Sequence, residues 1–220
     1  VERAGQISNF QKEKYFNVEL DCDGIPAVKP KIFDPDEAEQ LRSRCHGNEA
    51  IVTSVKETEK KVKAPKLYDL TTLQREANRI YGMTAKQTLD TAQSLYEKKL
   101  ITYPRTDSQY LTEDMEQTAR NVVRQIYEKY QLTGPFDQPE QPDVKKVMNN
   151  SKVTDHHAII PTMELASCHL DELKFWEEKI LFLIVVHTVM AMSKDYIYQE
   201  TEIEVECQGE IFKAKGKTVL

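Results

Sequence analysis

The sequence predicts an α+β fold: β-rich segments near both ends flank a helical middle. Apolar and polar residues alternate in YFNVEL (Tyr15–Leu20) and again in TEIEVEC (Thr201–Cys207), the period of a half-buried strand. Between them, after Leu67, the apolar spacing changes to three and four residues. A helical domain over residues 67–194, inserted into a discontinuous β-rich domain of residues 1–66 and 195–220, is the simplest organisation.

Along the chain, DCDGIP turns the first strand into an extended AVKPKIF. Asp34–Cys45 reads as a helix, with Asp34 as N-cap, Pro35 at the first helical position and acids in the first turn. Ala50–Glu57 is strand-like, and Lys56–Lys66 is a charged connector closed by a proline. Leu73, Ala77 and Ile80 mark a helix opened by a Thr71/Gln74 capping pattern and closed at Gly82. Thr84 and Gln87 open the next helix, and a third runs from Thr112 with Met115, Val122, Ile126 and Tyr130 on one face. Gln131–Asp143 is a proline-rich loop, and a long helix covers roughly Asp171–Met192. The terminal GEIFKAKGKTVL completes a hairpin with Thr201–Cys207.

Composition excludes several classes. The net charge of −6 argues against a generic basic nucleic-acid binder, though not against a local basic site. Cys22, Cys45, Cys168 and Cys207 form no CxxC pair, so they read as reduced thiols and not as a zinc ribbon. The first residues are polar and charged, unlike a secretory signal. The apolar run Ile180–Met192 falls short of the ~20 residues a membrane span needs, so no membrane partner is expected.

The chemistry concentrates in LITYPRTDS (Leu100–Ser108). Pro104 stops the preceding helix and biases Tyr103 toward extended backbone, which puts Tyr103 and Arg105 on one side. A phenol with a pKa of about 10 is a poor nucleophile unless helped. A neighbouring guanidinium favours the phenolate and can grip phosphate oxygens. Tyrosine attack on a phosphodiester suits this pair, and a surface turn with a packed tyrosine is the competing reading. In VTDHHAIIPT (Val153–Thr162), His156 and His157 could orient a phosphate or simply be loop histidines bonded to backbone. Neighbours on extended backbone point apart, and no third ligand sits at metal-binding spacing.

The stretch KLYDLTTLQREANRIYGMTAKQTLDTAQSLYEKKLITYPRTDSQYL, followed by VTDHHAIIPT, resembles the central region of a type IA DNA topoisomerase, most closely the topoisomerase III branch. The resemblance runs from Tyr15 to the C-terminus. It implies that Tyr103 is the nucleophile, that Arg105 contacts the scissile phosphate and that His156 is the family histidine. Asp107, Ser108 and His157 match the motifs as DNA-binding candidates. The implied reaction cuts one DNA strand, holds its 5′-phosphate on tyrosine, passes another strand and reseals the first. The helical middle resembles the domain carrying the nucleophile, and the flanking β segments resemble the domain that arches over the DNA gate and hinges it.

The family's metal-binding carboxylates and its glutamate–lysine pair belong to a Toprim domain that nothing in these 220 residues matches. Asp21-Cys22-Asp23 imitates part of that motif but reads as a turn. The resemblance therefore implies a fragment with no cofactor of its own, inactive alone, and Mg2+ held by the Toprim half of the full-length enzyme. Its partners would be single-stranded DNA and the remaining domains of the parent chain, in the cytoplasm at the nucleoid. A non-catalytic single-stranded nucleic-acid-binding module that keeps the fold is the alternative, and a structural domain without a DNA role is a third. The intact Tyr103, Arg105 and His156 favour the enzyme.

Overall fold

The computed structural model describes residues 2–131 and 142–220. It divides into two compact units, Val1–Lys61 with Ile197–Leu220, and Val62–Tyr196. Helices and an antiparallel sheet both occur, as the two periodicities predict. The proline-rich loop expected over Gln131–Asp143 lies, apart from its ends, outside the described residues.

The first unit opens with a short helix α1 (Glu2–Ser8) and is built on a five-stranded sheet of β1 (Phe16–Cys22), β2 (Ile25–Ile32), β3 (Ile51–Val62), β4 (Tyr196–Cys207) and β5 (Glu210–Val219). The strand order is β1-β2-β5-β4-β3, with β1/β2, β2/β5 and β4/β5 antiparallel. Two tight hairpins set the register. Asp23-Gly24 and Gln208-Gly209 all have positive φ, as a two-residue hairpin turn of the mirror-image type requires. In each the glycine N–H donates to a carboxylate three residues back, Asp21 or Glu206. The acidic DCD triplet is therefore a hairpin corner, as its sequence suggested.

Helix α2 (Pro35–Cys45) starts as expected, with the Asp34 carboxylate accepting from Asp36 N–H at 2.8 Å. Ala38, Leu41 and Cys45 bury its inner face against Val18, Ala27, Ile32, Val205, Phe212 and Ala214. One expectation fails here. The supposed connector after Glu57 is strand, and β3 continues to Val62. It is exposed at every position but Thr58, so KETEKKV shows no alternation that could reveal it.

The second unit packs α3 (Leu70–Tyr81), α4 (Ala85–Glu97), α5 (Glu116–Tyr130) and α6 (Phe175–Ala191). The capping pair of α3 is Asp69 and Thr72, not Thr71 and Gln74. The Asp69 carboxylate accepts from Thr72 N–H at 2.7 Å, and Asp69 N–H donates to the Thr72 hydroxyl. Gly82 closes the helix at φ 68°, a conformation glycine adopts without strain. Thr84 and Gln87 cap α4 reciprocally, as predicted. A single 3-10 turn, Glu113–Met115, precedes α5.

Helix α6 is apolar nearly all round, the mark of a helix with neighbours on several sides. Ile180, Leu181, Ile184 and Val185 join one core with Leu73, Leu95, Ile101 and Ile126. At its end, Ala191 and the following Met192 join a second core with Leu67, Leu111, Val123 and Ile160. The helix starts at Phe175 and not near Asp171, because Glu177 reaches back to accept from Lys174 N–H at 3.0 Å. Leu170–Glu172 forms a separate 3-10 turn. No helix among the described residues is long and apolar enough to cross a membrane.

Glu177 is a buried charge, with its side chain 3% exposed. Burial opposes its ionisation, but donors from Lys98 Nζ at 2.5 Å, Ser94 Oγ at 2.7 Å and Lys174 N–H hold its pKa down to about 2. The unfolded carboxyl titrates near ~4.3. Its stabilisation is therefore complete above that value and is lost as pH falls toward 2. Glu177→Gln should lower stability by about 3 kcal/mol at neutral pH. It should also flatten the decline of the melting temperature between pH ~4.5 and ~2, measured by thermal denaturation.

Candidate active site

The site lies wholly within the second unit, where two non-helical segments, 100–111 and 156–162, lie side by side. Two residues past α4, Lys99 has φ 60°, and Leu100 N–H closes the turn on Leu95 O at 2.9 Å. The chain then pairs with the histidine segment: Thr102 N–H donates to Ile160 O and Thr162 N–H to Leu100 O, both at 3.0 Å. The Thr102 hydroxyl donates to Ala158 O at 2.9 Å and accepts from Ile160 N–H at 3.0 Å. Four residues on, the buried Thr106 hydroxyl donates to His156 O at 2.9 Å and accepts from Ser108 N–H at 3.1 Å. Ala158 N–H donates to Tyr110 O at 2.9 Å.

Extended backbone sends alternate side chains to opposite faces. Ile159 enters one core, while Ala158 and Ile160 enter the other. The segment after His157 is thereby anchored on both sides, and His156 projects from its exposed end.

This brings Tyr103 and His156 together, with ring centres 4.3 Å apart and planes tilted by 46°. Tyr96, from the last turn of α4, meets Tyr103 edge-on at 5.4 Å. Tyr103 is half-buried and Pro104 buried, while Arg105 and Asp107 are exposed. Ser108 is buried, and its hydroxyl donates to Lys152 O at 2.8 Å and accepts from Tyr110 N–H at 3.1 Å, so it serves the scaffold. His157 is half-buried, with Nδ1 2.9 Å from Ala158 O. Among the described residues, no group of three His, Cys, Asp or Glu side chains is placed to hold a metal ion.

In the sequence Tyr96 reads only as one of the periodic residues of α4. Its signal is positional: an aromatic in the last turn of a helix that stops just before the tyrosine loop. The cross-segment roles of Thr102 and Thr106 carry no sequence signal, because a threonine bonded to a distant carbonyl looks like any other.

A protein-family model described as DNA topoisomerase matches residues 1–220. The chain belongs to the DNA topoisomerase family. It is 36% identical to the DNA topoisomerase 3 of Bacillus licheniformis and 36% identical to that of Bacillus subtilis, in each case over 100% of the chain. It spans about 31% of the length of both. Full-length topoisomerase I from Thermotoga maritima has a similar structure, with a TM-score of 0.70 and 26% identity, covering 99% of this chain and 36% of that one. The tyrosine and histidine loops of this topoisomerase family member thus sit on one hydrogen-bonded platform.

Thr106→Val removes the hydroxyl but keeps the shape, leaving His156 O without that donor and Ser108 N–H without that acceptor. The expected loss is about 1–3 kcal/mol of stability, read as a lower denaturation midpoint. A second readout is weakened contact between the Tyr103 and His156 rings, seen as altered aromatic proton shifts.

Proposed function

We propose that this chain is the gate portion of a type IA DNA topoisomerase whose nucleophile is Tyr103. The Tyr103 oxygen attacks the phosphorus of one single-strand phosphodiester and forms a tyrosine–phosphate ester on the 5′ side. The bond from phosphorus to the 3′-oxygen breaks, the phenol proton is given up, and the departing oxygen takes a proton to become a 3′-hydroxyl. Reversal reseals the strand after another has passed, which relaxes or decatenates DNA.

The observation that carries this reading is the half-buried Tyr103 held between Tyr96 and His156, with the exposed Arg105 guanidinium two residues on. Packing on two sides fixes the direction of attack before substrate arrives. Arg105 can hold two phosphate oxygens and offset the charge that builds on phosphorus. His156 stands where it can donate to a phosphate oxygen, and Asp107 and His157 flank the strand.

The helical unit is proposed to be inserted into a discontinuous arch formed by the sheet unit. The remaining parts of the reaction belong to a longer protein in the bacterial cytoplasm. Among the described residues, no cluster of His, Cys, Asp or Glu side chains suits a metal ion. Mg2+ is assigned to a Toprim domain, and without that second wall the 220-residue chain relaxes no supercoiled plasmid.

In a longer protein containing this chain, Tyr103→Phe should abolish the covalent adduct with single-stranded DNA while noncovalent binding is nearly unchanged. An adduct that survives on denaturing gels sinks the assignment and favours a binding module. Arg105→Ala should slow cleavage ~100-fold, the scale of losing one charge-stabilising donor. His156→Ala should slow it more than His157→Ala; the reverse order in single-turnover kinetics would move the role to His157.

A further inference from the structure

Beyond the site, the segment that carries Tyr103 runs on to Tyr110, where two distant lysines converge. Lys66 Nζ lies 5.5 Å and Lys152 Nζ 5.2 Å from the centre of the Tyr110 ring. Both lysines are exposed, and neither pairs with a carboxylate among the described residues. The geometry is fixed from beneath. Ser108 Oγ bonds both Lys152 O and the Tyr110 amide, and Tyr110 O accepts from Ala158 N–H. Lys152 and Tyr110 therefore keep their places relative to the platform that holds Tyr103 and His156.

Two grooves adjoin this point, and Lys66 and Gln109 line both. The smaller, about 400 Å3, contains Lys146, which is 3.3 Å from the Asp195 carboxylate, so its charge is offset. The larger, about 740 Å3, has one carboxylate, Glu76, and that pairs with Arg79 at 2.5 Å. Arg75 on its rim is exposed and makes no ion pair among the described residues. Its floor is apolar, with His187 stacked on Tyr68 at 3.7 Å. Cations without carboxylate partners above an apolar floor suit a chain that is anionic on one side and aromatic on the other.

We infer that Lys152, Lys66 and Arg75 form a phosphate-binding track that guides the single strand from the Tyr103 loop, past Tyr110, into the larger groove. This rests on the reading of Tyr103 as a DNA-cleaving nucleophile. It adds where the uncut remainder of the strand lies. Lysine ammonium groups grip phosphates as mobile point charges, so the track binds backbone without reading sequence.

The test is fluorescence anisotropy of a short labelled single strand titrated with the 220-residue chain over a range of salt concentrations. Lys66→Ala/Lys152→Ala should weaken binding about tenfold at low salt and reduce the slope of log K against log salt by about 1.4, two phosphates at ~0.7 each. Lys66→Arg/Lys152→Arg should restore both. The control is Lys86→Ala/Lys179→Ala, which removes two lysines already paired with Asp90 and Glu178. Circular dichroism verifies folding for each variant. An unchanged slope, a control that loses as much as the track variant, or no binding by the parent chain each overturns the track. The adduct test on Tyr103→Phe scores the underlying reading separately, so the two can fail independently.

Discussion

The candidate site depends on one hydroxyl. Thr102 Oγ1 donates to Ala158 O and accepts from Ile160 N–H, while its own amide bonds Ile160 O. A side chain directly before Tyr103 thus joins the two segments that carry Tyr103 and His156. Isolated strands of this length do not pair stably in water. Here the pairing survives because the residues around it are buried: Leu100 and Ile101 on one segment, Ala158, Ile159 and Ile160 on the other. Apolar burial supplies the stability, and the hydroxyl supplies the register.

That division of labour explains why so few side chains at the site are free. Thr106 and Ser108 look like substrate-binding groups in TDS, yet both are buried and bonded to carbonyls of the neighbouring segment or to their own turn. The exposed Arg105 and Asp107 alternate with them, and His156 is exposed on the neighbouring segment. An extended backbone gives this alternation directly: one face holds the loop in place and the other meets what binds.

Much of the helical unit was legible because its signals are local. Gly82, and the Thr84–Gln87 pair, mark helix ends through bonds spanning only a few residues. The errors arose where two local signals competed or none existed. Asp69/Thr72 and Thr71/Gln74 offer overlapping caps, and only the fold chose between them. Glu177 shifted the start of α6 by taking Lys174 N–H, and its partners Lys98 and Ser94 lie in another part of the sequence. Strand β3 is wet on both faces, so it carries no hydrophobic period. In the candidate site, Tyr103 and Arg105 stood out as neighbours in sequence. The approach of Tyr96, and of Lys66 and Lys152 to Tyr110, is made by tertiary structure alone.

Ile159 and Ile160 are consecutive, yet each enters a different core. A loop held this way has no private opening mode. Freeing its amides to exchange with solvent means breaching two hydrophobic clusters at once, which approaches the cost of unfolding the whole helical unit. The histidine segment, and the Tyr103 segment bonded to it, therefore behave as a solid part and not as a flap. Any displacement of Tyr103 large enough to matter is a displacement of the entire unit, with flexure confined to chain outside these two cores.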